Sequence, residues 1–190
     1  MLIVTYNILH IIYKMTHRQN NKTLKHYASK YLPRILSRRD TLFEKKQLDK
    51  SRKLYKQKKY YTRKAVASYP GKVSKHILHA RKIYGVEDIL PSSQLAKKTG
   101  CSISALRQIE KKGQGAYFSS GSRPNQTAHS WGRARLASAI TGGKSAAVDF
   151  SILDKGCNHK TSRAYKMALR SVKINGHGTR RVPKSLFVKS

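Results

Sequence analysis

QLAKKTGCSISALRQIEKK, residues 94–112, decides how the rest of the chain is read. Leu95 and Ala96 fall on a short first helix, and Ala96 is small, as a close helix crossing requires. Gly100 can take the positive φ of a tight turn, and Cys101 follows as a small buried residue. Ser102 is placed to cap a second helix, because its hydroxyl can accept from a free N–H of the first turn. Leu106 and Ile109 anchor that helix. The spacing predicts a tight helical hairpin over residues 92–112.

All of these positions carry suitable side chains, and the pattern resembles the repressor-type helix-turn-helix. The outward face then offers Ser102, Ser104, Arg107, Gln108 and Lys111, with Lys112 beside it. Arg and Gln are the residue types that read guanine and adenine edges. The alternative is a hairpin that uses the same packing for another purpose. Two observations favour it: the basic charge does not concentrate on this unit, and the glycine-rich stretch that follows reads as a docking surface rather than a dimerisation element.

Charge dominates the composition. The 190 residues hold 41 Lys and Arg against 8 Asp and Glu, a formal net charge of +33. That excess repels itself and collects polyanions. Nucleic acid, an acidic protein surface and an anionic membrane face are the partner classes it suits. Hydrophobic residues make up 38% of the chain, enough for a modest core rather than one that uses every residue. Cys101 and Cys157 are too few for a secreted disulfide scaffold, so a reducing compartment is the expectation. The opening MLIVTYNILHIIYKM is apolar but shorter than the ~20 residues that span a bilayer, and it lacks the basic leader and cleavage site of a signal peptide. It reads as a buried strand or helix, as an over-long start before Met15, or as a short membrane anchor.

Four zones follow along the chain. Residues 1–30 are an apolar and polar extension, residues 31–70 a basic helical arm, residues 71–173 a compact domain and residues 174–190 a basic tail. Leu42, Leu48 and Leu54 are scattered anchors on the arm. Its end interleaves Tyr55, Tyr60 and Tyr61 with Lys53, Lys56, Lys58, Lys59, Arg63 and Lys64, a mixture that suits phosphates and stacked bases. The competing reading buries those tyrosines against a protein neighbour. The compact domain is expected to hold the hairpin at 92–112, a Gly/Ser-rich loop at 113–127 that carries Arg123, a helix at 128–140, a strand at 146–153 and a helix at 162–172. Trp131, Leu136 and Ile140 should pack tightly among the small residues of the 128–140 helix. GGKS at 142–145 lacks the upstream Gly of a phosphate loop and reads as a helix stop.

Catalytic and metal constellations are weak. Asp149, Asp154, His129, His159, Ser130 and Cys157 are the right types, but no motif groups them. His76 and His79 lie one turn apart with no acid or thiol near in sequence to complete a metal shell.

SRKLYKQKKYYTRKAV, KVSKHILHARKIYGV and the run LAKKTGCSISALRQIEKKGQGAYFSSGSRPNQTAHSWGRARLASAITGGKSAAVDFSIL resemble a family found in large double-stranded DNA viruses of algae and amoebae, such as chlorella viruses and mimivirus relatives. The similarity runs over residues 31–157. The resemblance implies a viral setting, most plausibly a virion component, and carries no catalytic residue with it.

The expected fold is α+β and mainly helical: a small compact C-terminal domain containing a helix-turn-helix-like hairpin, with a long basic N-terminal arm. The expected role is non-enzymatic and free of cofactor and metal: a minor capsid protein on the inner face of an icosahedral shell. Its partners would be the major capsid protein and other minor capsid proteins, with viral DNA beneath. The alternative is a helix-turn-helix DNA-binding protein that condenses the genome or regulates transcription. The expected contact residues are Lys53, Lys56, Lys58, Lys59, Tyr60, Tyr61, Arg63, Lys64, Arg107, Gln108, Lys111, Lys112 and Arg123, with Leu95, Ala96, Gly100, Leu106, Ile109, Trp131 and Leu136 as packing positions.

Overall fold

Capping side chains set where most of the helices begin. In a computed structural model that describes residues 25–176 and 184–187, Ser37 opens α1 (Arg38–Lys56) by accepting from Asp40 N at 3.1 Å. Helix α2 (Lys75–Tyr84) stops at Gly85, where φ is 59°. Ser92 caps α3 (Ser93–Thr99) and Ser102 caps α4 (Ile103–Ser119), each accepting from a backbone N–H at 3.2 Å. Thr127 and Ser130 form a reciprocal capping box on α5 (Ala128–Ile140). Two short helices follow, α6 (Lys144–Val148) and α7 (Phe150–Gly156), and Ser162 caps α8 (Arg163–Asn175). The described residues are mainly helical.

The chain divides into two compact units. One comprises residues 1–29 and 182–190, and of it only β1 (Lys25–Ala28) and β2 (Lys184–Phe187) are described. They pair antiparallel, with Lys25 opposite Phe187. The apolar stretch 1–15 and most of the basic tail lie outside the described residues. The other unit, residues 30–181, contains every helix.

The core of the larger unit forms where α4 and α5 cross. Leu95, Leu106, Ile109, Leu136, Ile140 and Leu153 are fully buried there, with a surround of alanines. Gly113 and Gly132 are the crossing point. A Cβ on Gly113 would stand 2.6 Å from Gly132 Cα, and one on Gly132 would stand 2.8 Å from the Glu110 carbonyl oxygen. Only hydrogen fits between backbones that close. Tyr84 lies at the edge of the core and donates to Ile140 O at 2.5 Å, and burial pushes its hydroxyl up to about 12.

Four expectations change. The strand expected at 146–153 is helical, split between α6 and α7. The alternation of Val148, Phe150 and Ile152 suggested a strand, but Ala146, Ala147, Phe150 and Leu153 also recur at helical spacing and point inward or toward the core. The loop expected at 113–127 begins only after Ser119, because α4 continues through Gly113 and Gly115 and buries Tyr117. Segment 31–70 is part of the larger unit rather than a separate arm: α1 buries Glu44, Gln47, Leu48 and Ser51. Cys101 and Cys157, expected as thiols, form a disulfide across an isolated antiparallel bridge. Ser102 N donates to Gly156 O at 2.7 Å and Asn158 N to Gly100 O at 2.9 Å, so backbone pairing brings the two cysteines together.

Candidate nucleic-acid interface

The hairpin turn sets the first face. Gly100 has φ 71°, which only glycine adopts without strain, and a Cβ there would stand 2.8 Å from Ser162 Cα. Leu95, Leu106 and Ile109 are fully buried beneath the hairpin, and Ala96 is half-buried at the crossing. Ser104, Arg107, Gln108, Lys111 and Lys112 are all exposed on α4. No other segment of the described residues covers them. Lys112 differs from the rest, because its Nζ lies 2.7 Å from a carboxylate oxygen of Asp149. Asp149 also receives a fork from Arg135, with Nε and Nη2 at 2.7 and 2.8 Å. Lys112 is therefore partly committed inside the protein. Between α4 and α7 lies a cavity of about 310 Å³ lined by Ser102, Ser104, Gln108, Ser151 and Lys155.

The second face is the end of α1 and the extended segment after it. Lys53, Lys56, Lys58, Lys59 and Lys64 are exposed. Tyr60 is 71% exposed and leans edge-on against Phe118, with ring centroids 4.9 Å apart. Tyr55 stacks on the same Phe118 at 6.5 Å. Tyr61 lies under Lys50 Nζ at 4.5 Å and donates to Gln47 Oε1 at 3.4 Å. The aromatic and basic residues interleave as the sequence predicts, but the tyrosines divide: Tyr60 faces solvent while Tyr55 and Tyr61 pack within the chain.

Arg63 has left this face altogether. Its guanidinium is buried, 3.1 Å from Glu44 Oε1 and 4.2 Å over the Tyr117 ring. It also donates to Tyr117 O at 3.1 Å and to Ser122 Oγ. A cation so enclosed cannot meet a phosphate, so Arg63 is a structural residue. Burial pushes the Glu44 carboxyl up to about 7, against the opposing pull of Arg63. The signal that could have found this pair is the stripe Glu44, Gln47, Leu48 and Ser51, spaced for one helix face.

Arg123 is exposed, in the loop before α5. Near it, Lys30 lies 5.4 Å over both Tyr31 and Trp131. Burial and the neighbouring charges of Arg123, Lys144 and Arg135 hold the Lys30 ammonium below the usual lysine range. Trp131 is half-buried and meets Tyr31 edge-on at 6.3 Å, while Leu136 is fully buried on the same helix.

The eight acids are spread thin. Glu44 and Asp149 are sealed in the interior on arginines. Asp40 accepts from Ser68 N and Oγ at 2.8 and 2.6 Å, Asp88 meets Arg81 at 3.6 Å, and Asp154 meets His159 at 3.3 Å. The described residues therefore expose far more Lys and Arg than acids.

The weak catalytic candidates are occupied by structure. Asp149 is an internal ion-pair hub, Cys157 is in the disulfide and Ser130 is in the capping box. Asp154 and His159 do meet, at 3.3 Å, and His159 also stacks on Tyr165 at 4.2 Å. Among the described residues no group of three or more His, Cys, Asp or Glu could hold a metal, and no helix is long and apolar enough to cross a membrane.

No curated protein and no solved structure matches the chain. Residues 23–155 match DUF5824, a family of unknown function, over more than half of the sequence. The chain belongs to that family.

Proposed function

We propose that this protein is a non-enzymatic structural component of a large DNA virus particle, a minor capsid protein on the inner face of the shell whose cationic surface meets the genome. One observation carries the reading. The interior takes up two of the eight acids, Glu44 on buried Arg63 and Asp149 on half-buried Arg135, and the exposed surface keeps a cationic excess that includes Arg107 and Lys111, with Gln108 between them, on an uncovered helix face. Each Lys or Arg that meets a phosphate releases counterions, so duplex binding falls steeply as salt rises. The resemblance to proteins of large double-stranded DNA viruses supplies the setting.

The charge lies on several faces rather than one, which suits a protein set between layers. Tyr60, exposed beside Lys58 and Lys59, adds a ring on which an unpaired base can stack. The acidic surfaces of capsomers satisfy the same cations on the opposite side.

A second reading is a sequence-specific helix-turn-helix regulator. The exposure of Arg107 and Gln108 together at the start of α4 favours it, since these two side chains can read base edges.

Binding measured over a salt series with a random duplex and with duplexes selected from the viral genome separates the two. The structural reading expects similar affinities and a steep, shared salt slope. A ratio above roughly a thousand that persists at high salt belongs to the regulator and overturns the structural reading. Stepwise extraction of virions then reports whether the protein leaves with the shell or with the genome.

A further inference from the structure

Helix α1 carries two stripes whose chemistry is inverted. The stripe that meets the body of the protein, Glu44, Gln47, Leu48 and Ser51, is mostly polar yet buried. A second stripe, Arg39, Leu42, Phe43 and Lys46, repeats the i, i+3, i+4, i+7 spacing and faces outward. Leu42 is 50% exposed and Phe43 is 40% exposed. Polar groups inside and large apolar groups outside are the two arrangements that call for an explanation.

The outward stripe is one wall of a groove of about 950 Å³. The opposite wall is segment 65–68, which enters a turn at Ala67. Side chains hold that wall in place: Val66 N donates to Asn125 Oδ1 at 2.8 Å, and Ser68 N donates to Asp40 Oδ2 at 2.8 Å. Asp40 is the acid among the lining residues, and its carboxylate is turned to Ser68, whose hydrogen bonds hold it below the usual range. The charges left to face an occupant are Arg39 and Lys46.

We infer that this groove docks an acidic amphipathic segment of a partner protein. Apolar anchors of that segment seat between Leu42, Phe43, Ala65 and Ala67, and its carboxylates meet Arg39 and Lys46. Charge selects the occupant. A second copy of this chain carries +33 net charge and would set cation against cation, and the chain's own uncharged stretch 1–13 has no carboxylate to offer Arg39 and Lys46. A nucleic acid has no apolar side chains to cover Leu42 and Phe43. A bilayer surface is broad, whereas the apolar pair here stands inside a groove with a preformed far wall. The inference concerns a surface apart from α4 and stands whether or not α4 meets DNA.

Fluorescence anisotropy with the full-length chain tests it. Three labelled helical peptides of roughly 18 residues serve as probes. The first has Leu and Phe at helical spacing with Glu elsewhere, the second replaces those apolar residues by Ser at the same charge, and the third replaces Glu by Lys. At about 0.15 M salt the first peptide binds and saturates, and the other two bind at least about tenfold more weakly. Leu42→Ser with Phe43→Ser weakens the first peptide by at least about tenfold, and Lys46→Glu by about threefold, while random-duplex binding changes less than about twofold for the Ser pair. Circular dichroism melts verify that the variants fold, and Leu42→Ser alone replaces the pair if the pair does not. Equal binding of the serine peptide or the lysine peptide overturns the inference, as does unchanged binding by the Leu42 and Phe43 variants. Vesicles of phosphatidylcholine and phosphatidylserine that bind through Leu42 and Phe43 more tightly than the peptide also overturn it. Loss of duplex binding with peptide docking intact tells against the proposed function and leaves this inference standing.

Discussion

Helix α4 is gripped from two sides by opposite kinds of chemistry. On one side α5 meets it backbone to backbone at Gly113 and Gly132, among buried Leu106, Ile109 and Leu136. On the other side the contacts from α1 and the segment after it combine polar bonds with the aromatic contacts of Tyr55 and Tyr60 on Phe118. Ser51 Oγ donates to Phe118 O at 3.1 Å, Arg52 donates twice to Ser120 O at 3.1 and 2.7 Å, and Arg63 lies on Tyr117. The first grip is close packing, which any added atom disturbs and which pH does not touch. The second depends on a buried carboxylate and guanidinium, which tolerate small changes of shape but not the loss of a partner. A chain so rich in cations has few large apolar residues to spare, and it adds polar groups to aromatic contacts in attaching its outer layer.

The comparison can be broken at either grip. Cys101→Ser removes the cross-link behind the apolar side. The disulfide closes a separation of 56 residues, so in the chain-entropy account its loss costs about 4 kcal/mol, read in denaturant unfolding under non-reducing conditions. A loss below about 1 kcal/mol would show that the apolar grip does not need the link.

Arg63→Ala strikes the polar side and leaves Glu44 buried without its cation, at about 3 kcal/mol. The cost depends on pH. Glu44 has a folded value of about 7 against an ordinary 4.5, so the folded state holds the extra proton between those values. Stability from this group is present below about pH 4.5 and falls as pH rises toward about 7. With Arg63 gone only the Gln47 amide still opposes burial, so the penalty is larger at about pH 8 than at about pH 5. Glu44→Gln flattens the slope across that window. An Arg63→Ala penalty independent of pH would remove Glu44 from the account.

Gly132→Ala returns to the apolar side. The new methyl meets the Glu110 carbonyl, and the crossing must open at a cost of about 2 kcal/mol in thermal unfolding. Unlike the Arg63 variant, its penalty should not change with pH.

Arg107→Ala with Lys111→Ala touches neither grip. Stability should stay within about 0.5 kcal/mol. The slope of log affinity against log salt for a random duplex should fall by about 2. An unchanged slope means that α4 does not face the phosphates.

Much of this was legible in the residues. Local signals act over a few positions, so the caps at Ser102 and Thr127 and the turn at Gly100 could be placed directly, while the caps at Ser92 and Ser162 emerged from the structure. Helix 128–140 and the start of the last helix came from the same kind of signal. The exposed set Arg107, Gln108 and Lys111 also followed, because burying Leu106 and Ile109 turns those neighbours outward. Alternation over 146–153 misled, since a short apolar run fits both periods and buried alanines carry little weight in either.

The sequence by itself determined a mainly helical polycation, since charge and helical period are properties of near neighbours in the chain. The tertiary structure alone decided that Arg63 turns inward to Glu44, that Cys101 meets Cys157 across 56 residues, and that Asp149 gathers Arg135 and Lys112. It also decided that Leu42 and Phe43 stay outside while Glu44 and Gln47 go in. The reason is that a charged side chain goes wherever its partner is, and partners distant in sequence are chosen by the fold rather than by the spacing of residues.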